Sequence, residues 1–262
     1  MQPRVVPDDH GLPRLTFANL AFRYEPYPIG VAKPVLPEDL YRDLVERYPP
    51  RDLFVYMPKF GHKYSLSEKF NGKAYQQFLR REPVWRAFHG WVKSEAFILE
   101  VMDALRLHGI DLGFGARPPA TQRLLKTMKH LLRPSQKSRT PRLSARFEFS
   151  MLPADGGSVI PHTDLPSKVV TIIVSMVGEG EWDPAIGGGT DVNRNKNPHS
   201  SFNRLNARGR FEDMDVLDTF EFLPNQAVMF VKTFNSWHSV RPMTGVGSQA
   251  MRKTLTINIE AR

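Results

Sequence analysis

Two regimes of hydrophobic spacing divide the chain. In the first third, apolar positions recur at helical intervals between short extended pieces. The stretch Pro37–Tyr48 opens with proline and two acids, sets Leu40, Leu44 and Tyr48 on one face, and stops before Pro49-Pro50, which predicts a surface helix. From Tyr75 to Leu107, Phe78, Leu79, Trp85, Phe88, Trp91, Phe97, Ile98, Val101, Met102 and Leu105 keep the helical period. Pro83 divides that run into two helices. After Ser144 the period becomes two. Arg146–Met151 alternates, Val169–Val177 is nearly continuous and β-branched, and Phe220–Phe222, Ala227–Val231 and Thr254–Glu260 follow between Gly, Pro and Asn turns. Helices first and strands afterwards predict a mainly β, α+β protein: an antiparallel sandwich or barrel with helices packed on one face.

Residues 116–142 follow neither period cleanly. Arg117, Arg123, Lys126, Lys129, Arg133, Lys137, Arg139 and Arg142 occur there without one acid, and Leu124, Leu125, Met128, Leu131 and Leu132 share a helical face. Either this is a helix docked on the core with a solvated basic face, or it touches an anionic surface. The 262 residues suit a single domain, with residues 1–143 as a helical support region and 144–262 as the β core. A hydrophobic content of 41% with 24% charged residues is ordinary for a globular protein. No apolar run reaches membrane-spanning length, and Met1–His10 lacks the apolar stretch of a signal peptide, so the reading is cytoplasmic. The net charge of +9 favours anionic partners without choosing among them.

There is no cysteine, so disulfides, zinc ribbons and thiol catalysis are excluded, and any metal falls to His, Asp or Glu. Pro161-His162-Thr163-Asp164 lies between two strand signals, where side chains two apart project to the same side. His162 and Asp164 then converge on one point, and His238 in Ser236–Pro242 supplies a third ligand from a later strand. Two histidines and one carboxylate on one face form the facial set of non-haem iron(II) oxygenases. With eight histidines in the chain, a His-x-Asp pair carries little by itself. The ordered set around it adds weight: the pair after a first strand, the strand Lys168–Val177, Gly187-Gly188-Gly189, the strand-turn Phe222–Phe230, His238-Ser239-Val240 and Arg252–Ile257.

That order resembles the iron(II)- and 2-oxoglutarate-dependent dioxygenase superfamily, in its prolyl-hydroxylase-like branch, over about residues 144–260. The resemblance implies a double-stranded β-helix, a jelly-roll (cupin-like) barrel, with His162, Asp164 and His238 holding Fe(II). It also implies that a basic residue on the last strand binds the distal carboxylate of 2-oxoglutarate. Arg252 matches that position, and Thr254 completes the family's Arg-x-Ser/Thr pattern. A guanidinium offers a bidentate fork to a carboxylate in a dry pocket. Arg252, Thr254, Thr256 and Asn258 should then face the site, while Leu255, Ile257 and Ile259 meet the helices. Arg241 and Lys168 are rivals for the carboxylate, but Arg241 has the opposite parity to His238.

The implied reaction hydroxylates a substrate C–H bond, consumes 2-oxoglutarate and O2, and releases succinate and CO2. Asp164 favours hydroxylation over halogenation, because halogenases of the superfamily lack that carboxylate. A nucleic-acid demethylase suits the charge, but its second arginine falls on Asn258, so nucleic acid is not the expected partner. A cupin epimerase or a non-catalytic jelly-roll binding protein would share the fold. For substrate, an anionic lipid-linked glycan, such as the acidic inner-core sugar of lipopolysaccharide, and a peptide hydroxylated at proline or another side chain stand level. The glycan version brings peripheral contact with an anionic membrane surface.

Overall fold

The period-two half of the chain forms the middle of one antiparallel sheet and the whole of a second. In the computed structural model, which describes residues 14–114 and 142–261, the strands are β1 (Ala21–Arg23), β2 (Ile29–Ala32), β3 (Val55–Met57), β4 (Lys63–Ser67), β5 (Leu143–Pro153) and β6 (Val159–His162). They continue with β7 (Lys168–Ser175), β8 (Thr190–Asn195), β9 (Met214–Phe220), β10 (Ala227–Val231), β11 (His238–Val240) and β12 (Met251–Ala261). The helices are α1 (Glu38–Glu46), α2 (Gly72–Arg81), α3 (Pro83–Val92) and α4 (Glu95–Leu107). One sheet runs β1-β2-β10-β7-β12-β5-β4-β3 and the other β6-β11-β8-β9. The basic stretch, apart from Arg142, lies outside the described residues. Among those residues, no helix is long and apolar enough to cross a membrane.

Strand parity assigns the faces of the larger sheet. Ala145, Phe147, Phe149 and Met151 of β5, Val170, Ile172 and Val174 of β7, and Leu255, Ile257 and Ile259 of β12 join the helices in one buried core. Phe149 is its hub, with ring centroids 4.7 Å from Trp85, 5.2 Å from Phe147, 5.5 Å from Tyr48 and 5.6 Å from Phe78. Pro83 opens α3 directly after α2, and Ser94 caps α4 by accepting a hydrogen bond from the Phe97 amide. In α1 the buried stripe is Tyr41, Leu44 and Val45, one position on from the expected Leu40, because the Tyr41 hydroxyl turns inward and donates to the Val177 carbonyl at 2.6 Å.

The opposite face of the larger sheet looks toward the smaller one. It carries polar rows: Ser65, Ser150, Thr254 and Ser175 on four neighbouring strands, and Arg146, Asn258 and Thr171 further along. Between the sheets, Tyr27, Ile29, Val192, Val228 and Phe230 form a second apolar cluster. Leu152, Ala154, Val177, Trp182, Phe222, Val240 and Met243 form a third. The strand expected at Phe220–Phe222 is instead the end of β9, which begins at Met214. Phe222 leaves the ladder to pack against Trp182 at 5.4 Å.

Two irregular pieces flank β6. The turn between β3 and β4 approaches it at Gly61, whose φ is +70°, and whose carbonyl accepts from the Ser158 amide at 3.0 Å. A Cβ at Gly61 would stand 2.0 Å from the Ser158 carbonyl oxygen, so only glycine fits. On the other side, the segment between β8 and β9 bonds β6 through Gly209 N to Pro161 O and Thr163 N to Ala207 O. The Arg208 guanidinium lies over Phe60, 5.3 Å from its centroid, linking the two pieces.

Candidate metal centre

His162 closes β6 and His238 opens β11, and the antiparallel register sets them directly opposite each other with ring centroids 4.2 Å apart. Asp164 follows two residues after His162, in the connection to β7. One ligand atom from each of the three lies within 4.8 Å of the others, and His162 Nε2 is 3.8 Å from Asp164 Oδ1. Three donors this close are within reach of one ion with bonds of about 2.1 Å.

The backbone fixes which nitrogen each imidazole offers. His162 Nδ1 lies 3.0 Å from the Ile160 carbonyl, and His238 Nδ1 lies 3.0 Å from the Ser236 carbonyl. A carbonyl only accepts, so both Nδ1 atoms carry hydrogen and both Nε2 atoms present a lone pair. Burial lowers the His162 pKa to about 3, helped by the neighbouring His238, and burial also lowers that of His238. Both rings are neutral near pH 7, as ligands must be. Burial alone would raise the Asp164 pKa; the Lys168 ammonium, by its charge and its hydrogen bond, outweighs it and holds the carboxyl well below the usual range. The donor set is thus two neutral nitrogens and one carboxylate, a set that fits a borderline divalent ion such as Fe(II).

Lys168 donates to Asp164 Oδ1, and the Thr171 hydroxyl donates to Oδ2 at 2.8 Å. Lys168 is therefore engaged with the triad and is not turned toward Arg252. Lys232, just past β10, contributes a second positive charge near Asp164 and His238. On the larger sheet, Lys63 donates to buried Glu148 at 2.7 Å, and Arg146 lies 3.4 Å from Glu260.

Arg252 sits on the inward face of β12 with 5% of its surface exposed. Its Nε donates to the Gly188 carbonyl and its guanidinium lies 4.5 Å from the Phe222 centroid. Among the described residues it has no carboxylate within 4.0 Å, and burial pulls its pKa down to about 10. Thr254 Oγ1 shares a hydrogen bond with Ser150 Oγ at 2.9 Å. Arg241 is engaged with Asp191, 3.2 Å from its Oδ1. Trp237 is packing, with Nε1 donating to the Ser201 carbonyl, and His199 is exposed in the turn Pro198–Ser201.

Asn258 faces the site as its strand parity predicts, though no role there was read from its residue type, and Thr171 was not marked at all. A signal for Thr171 existed: it is the one polar position within the run Val169–Val174, which is otherwise aliphatic on both faces.

No family model matches this chain, and no curated protein matches it. Solved structures to which it is similar include a prolyl-4-hydroxylase from Pseudomonas putida, at 16% identity over 89% of this chain and 92% of that one, with a TM-score of 0.45. Another is a prolyl hydroxylase from Trichoplax adhaerens in complex with a hypoxia-inducible-factor peptide fragment, at 10% identity over 88% and 83%, with a TM-score of 0.43. A third is the non-heme alpha-ketoglutarate-dependent epimerase of nogalamycin biosynthesis, at 13% identity over 88% and 78%, with a TM-score of 0.49. All three scores fall below 0.5, and the functional reading rests on the side chains instead.

Proposed function

We propose that this chain is an oxygenase that uses Fe(II), 2-oxoglutarate and O2 to hydroxylate a substrate C–H bond. The observation that carries the reading is the triad of His162, Asp164 and His238: two fixed Nε2 lone pairs and one carboxylate, converging from two strands and the connection after one of them. In this reading residues 1–262 are one oxygenase domain and β5 to β12 are a double-stranded β-helix. Its support is the strand order, with β5, β12, β7 and β10 adjacent in one sheet and β6, β11, β8 and β9 in the other.

When bound, iron with 2-oxoglutarate and O2 supplies the oxidising chemistry, and 2-oxoglutarate leaves as succinate and CO2. The chain's own part is positional. His162, Asp164 and His238 hold the ion on one face and leave the remaining positions open. Arg252, a buried cation without a carboxylate partner among the described residues, takes the distal carboxylate of 2-oxoglutarate, and Thr254 donates a hydroxyl beside it. The Phe230 ring, 4.5 Å from His238, and the apolar cluster around it keep that side of the metal dry. Lys232, near the triad and without a carboxylate within 4.0 Å among the described residues, favours a substrate with an anionic group, in a lipid-linked glycan or in an acidic peptide.

Anaerobic addition of Fe(II) and then 2-oxoglutarate should produce the visible charge-transfer band of the chelate, and His238→Ala should abolish it. A colourless protein with full iron loading removes 2-oxoglutarate from the proposal. Succinate formation screened against anionic glycans and peptides identifies the substrate class, since turnover must exceed the uncoupled background.

A further inference from the structure

Of the three ligands, the two histidines are strand residues and Asp164 is not. A carboxylate on a connection turns readily about its terminal torsion, so something must decide which oxygen faces the imidazoles. Oδ1 does, at 3.8 Å from His162 Nε2 and accepting from Lys168, whose long flexible side chain can follow either oxygen, while Oδ2 accepts from Thr171 Oγ1, held in a strand, at 2.8 Å.

Thr171 Oγ1 also lies 3.1 Å from Asn258 Oδ1, and Asn258 Nδ2 is buried without a partner among the described residues. A hydroxyl has one hydrogen, and Thr171 has already given it to Asp164. An oxygen facing an oxygen beside an orphaned amide nitrogen marks an amide whose two ends are exchanged. Turning the Asn258 amide by half a revolution completes the chain of donors: Nδ2 donates to Thr171 Oγ1, and Thr171 donates to Asp164 Oδ2. Thr171 is 3% exposed and Asn258 is fully buried, and the β7–β12 register pairs them directly. Both lie near the middle of an eight-stranded sheet, with β10 on one side and β5 on the other.

We infer that Asn258 and Thr171 are positioning residues, a directed hydrogen-bond relay that anchors the connection-borne ligand Asp164 to the centre of the sheet and turns Oδ1 to the metal. The inference rests on the metal role proposed for the triad. Direction is the essential property. Asparagine gives a hydrogen to threonine, which leaves threonine's own hydrogen for the carboxylate.

The test is Mn(II) affinity of the purified full chain, read from the electron paramagnetic resonance signal of unbound Mn(II), with thermal melts to verify folding. Thr171→Val keeps the shape and deletes the donor; it should weaken Mn(II) by about 10- to 100-fold, the usual cost of losing a partner of a ligand. Thr171→Ser should restore affinity to within about threefold, because the hydroxyl is back. Asn258→Asp keeps the shape and reverses the polarity: the new carboxylate accepts the Thr171 hydrogen, so Mn(II) binding should fall as far as in Thr171→Val. Asn258→Leu leaves Thr171 able to donate and should cost less than Asn258→Asp. If Thr171→Val does not fold, the ordering of the two Asn258 variants decides. Equal affinity in wild type and Thr171→Val, or Asn258→Asp no weaker than Asn258→Leu, overturns the relay while leaving the metal site standing. Wild-type protein that binds no Mn(II), Fe(II) or Co(II) removes the metal site and the relay together.

Discussion

Arg252→Met should separate stability from co-substrate binding. The fall of the guanidinium pKa from 12.5 to about 10 on burial corresponds to a cost of about 3 kcal/mol for keeping it charged. Its hydrogen bond to the Gly188 carbonyl contributes about 2 kcal/mol, and its position over Phe222 about 1 kcal/mol. The two sides nearly cancel. Methionine fills similar space beside Trp182, Phe222 and Met243, so the co-substrate-free variant should differ from wild type by no more than about 1 kcal/mol in urea denaturation. Binding should behave otherwise, since truncation leaves a carboxylate unpaired in a dry site. 2-Oxoglutarate should weaken by about 2 kcal/mol or more, roughly 30-fold, in anaerobic titrations of the iron complex. The thermal stabilisation that 2-oxoglutarate confers on wild type should shrink in proportion. A variant that loses more than about 3 kcal/mol of stability while keeping its affinity would refute the reasoning. Arg252 would then be a structural cation serving Gly188 and Phe222.

Three further outcomes test the frame around the site. Phe149→Ala empties the aromatic hub and should cost about 3–5 kcal/mol in chemical denaturation. Gly61→Ala should lower the melting temperature and raise protease sensitivity around residues 55–63, because the φ of +70° and the Ser158 carbonyl both oppose a Cβ. His89 has a pKa lowered to about 4, chiefly by burial and then by Lys93. A depressed folded-state value means its contribution is complete above pH 6.5 and is lost as pH falls toward 4, so His89→Leu should blunt the acid-induced loss of stability in that window.

Parity made β12 legible: one residue in two is aliphatic, and the alternation alone says that Arg252, Thr254 and Asn258 share a face. The same rule joined His162 to Asp164, and the turn residues marked where strands stop. The N-terminal strands were not legible as sheet. Val55-Tyr56-Met57 is exposed and three residues long, and it is a strand only because Lys63–Ser67 pairs with β5, some 85 residues away. Burial of Glu148 is hidden for the same reason, since Lys63 and Ser65 reach it from a distant segment. The β9 start was missed because Asp215, Val216, Leu217 and Asp218 do not alternate, and both hydrophobic members are exposed. The relay was invisible because nothing in a sequence shows which way an amide turns.

The smaller sheet has β6 and β9 as its outer strands, and the chain treats the two edges differently. At β9 the outer strand carries Asp215 and Asp218 beside exposed Val216 and Leu217, and Arg23 pairs with Asp218. Charge there discourages another chain from adding a strand. At β6 the side is covered, with residues 207–209 bonded along Pro161–Thr163, and with Thr163 Oγ1 accepting from the Ala207 amide. Shortening the segment between β8 and β9 would therefore uncover an unguarded strand beside the metal ligand, and self-association should appear before any loss of the remaining fold.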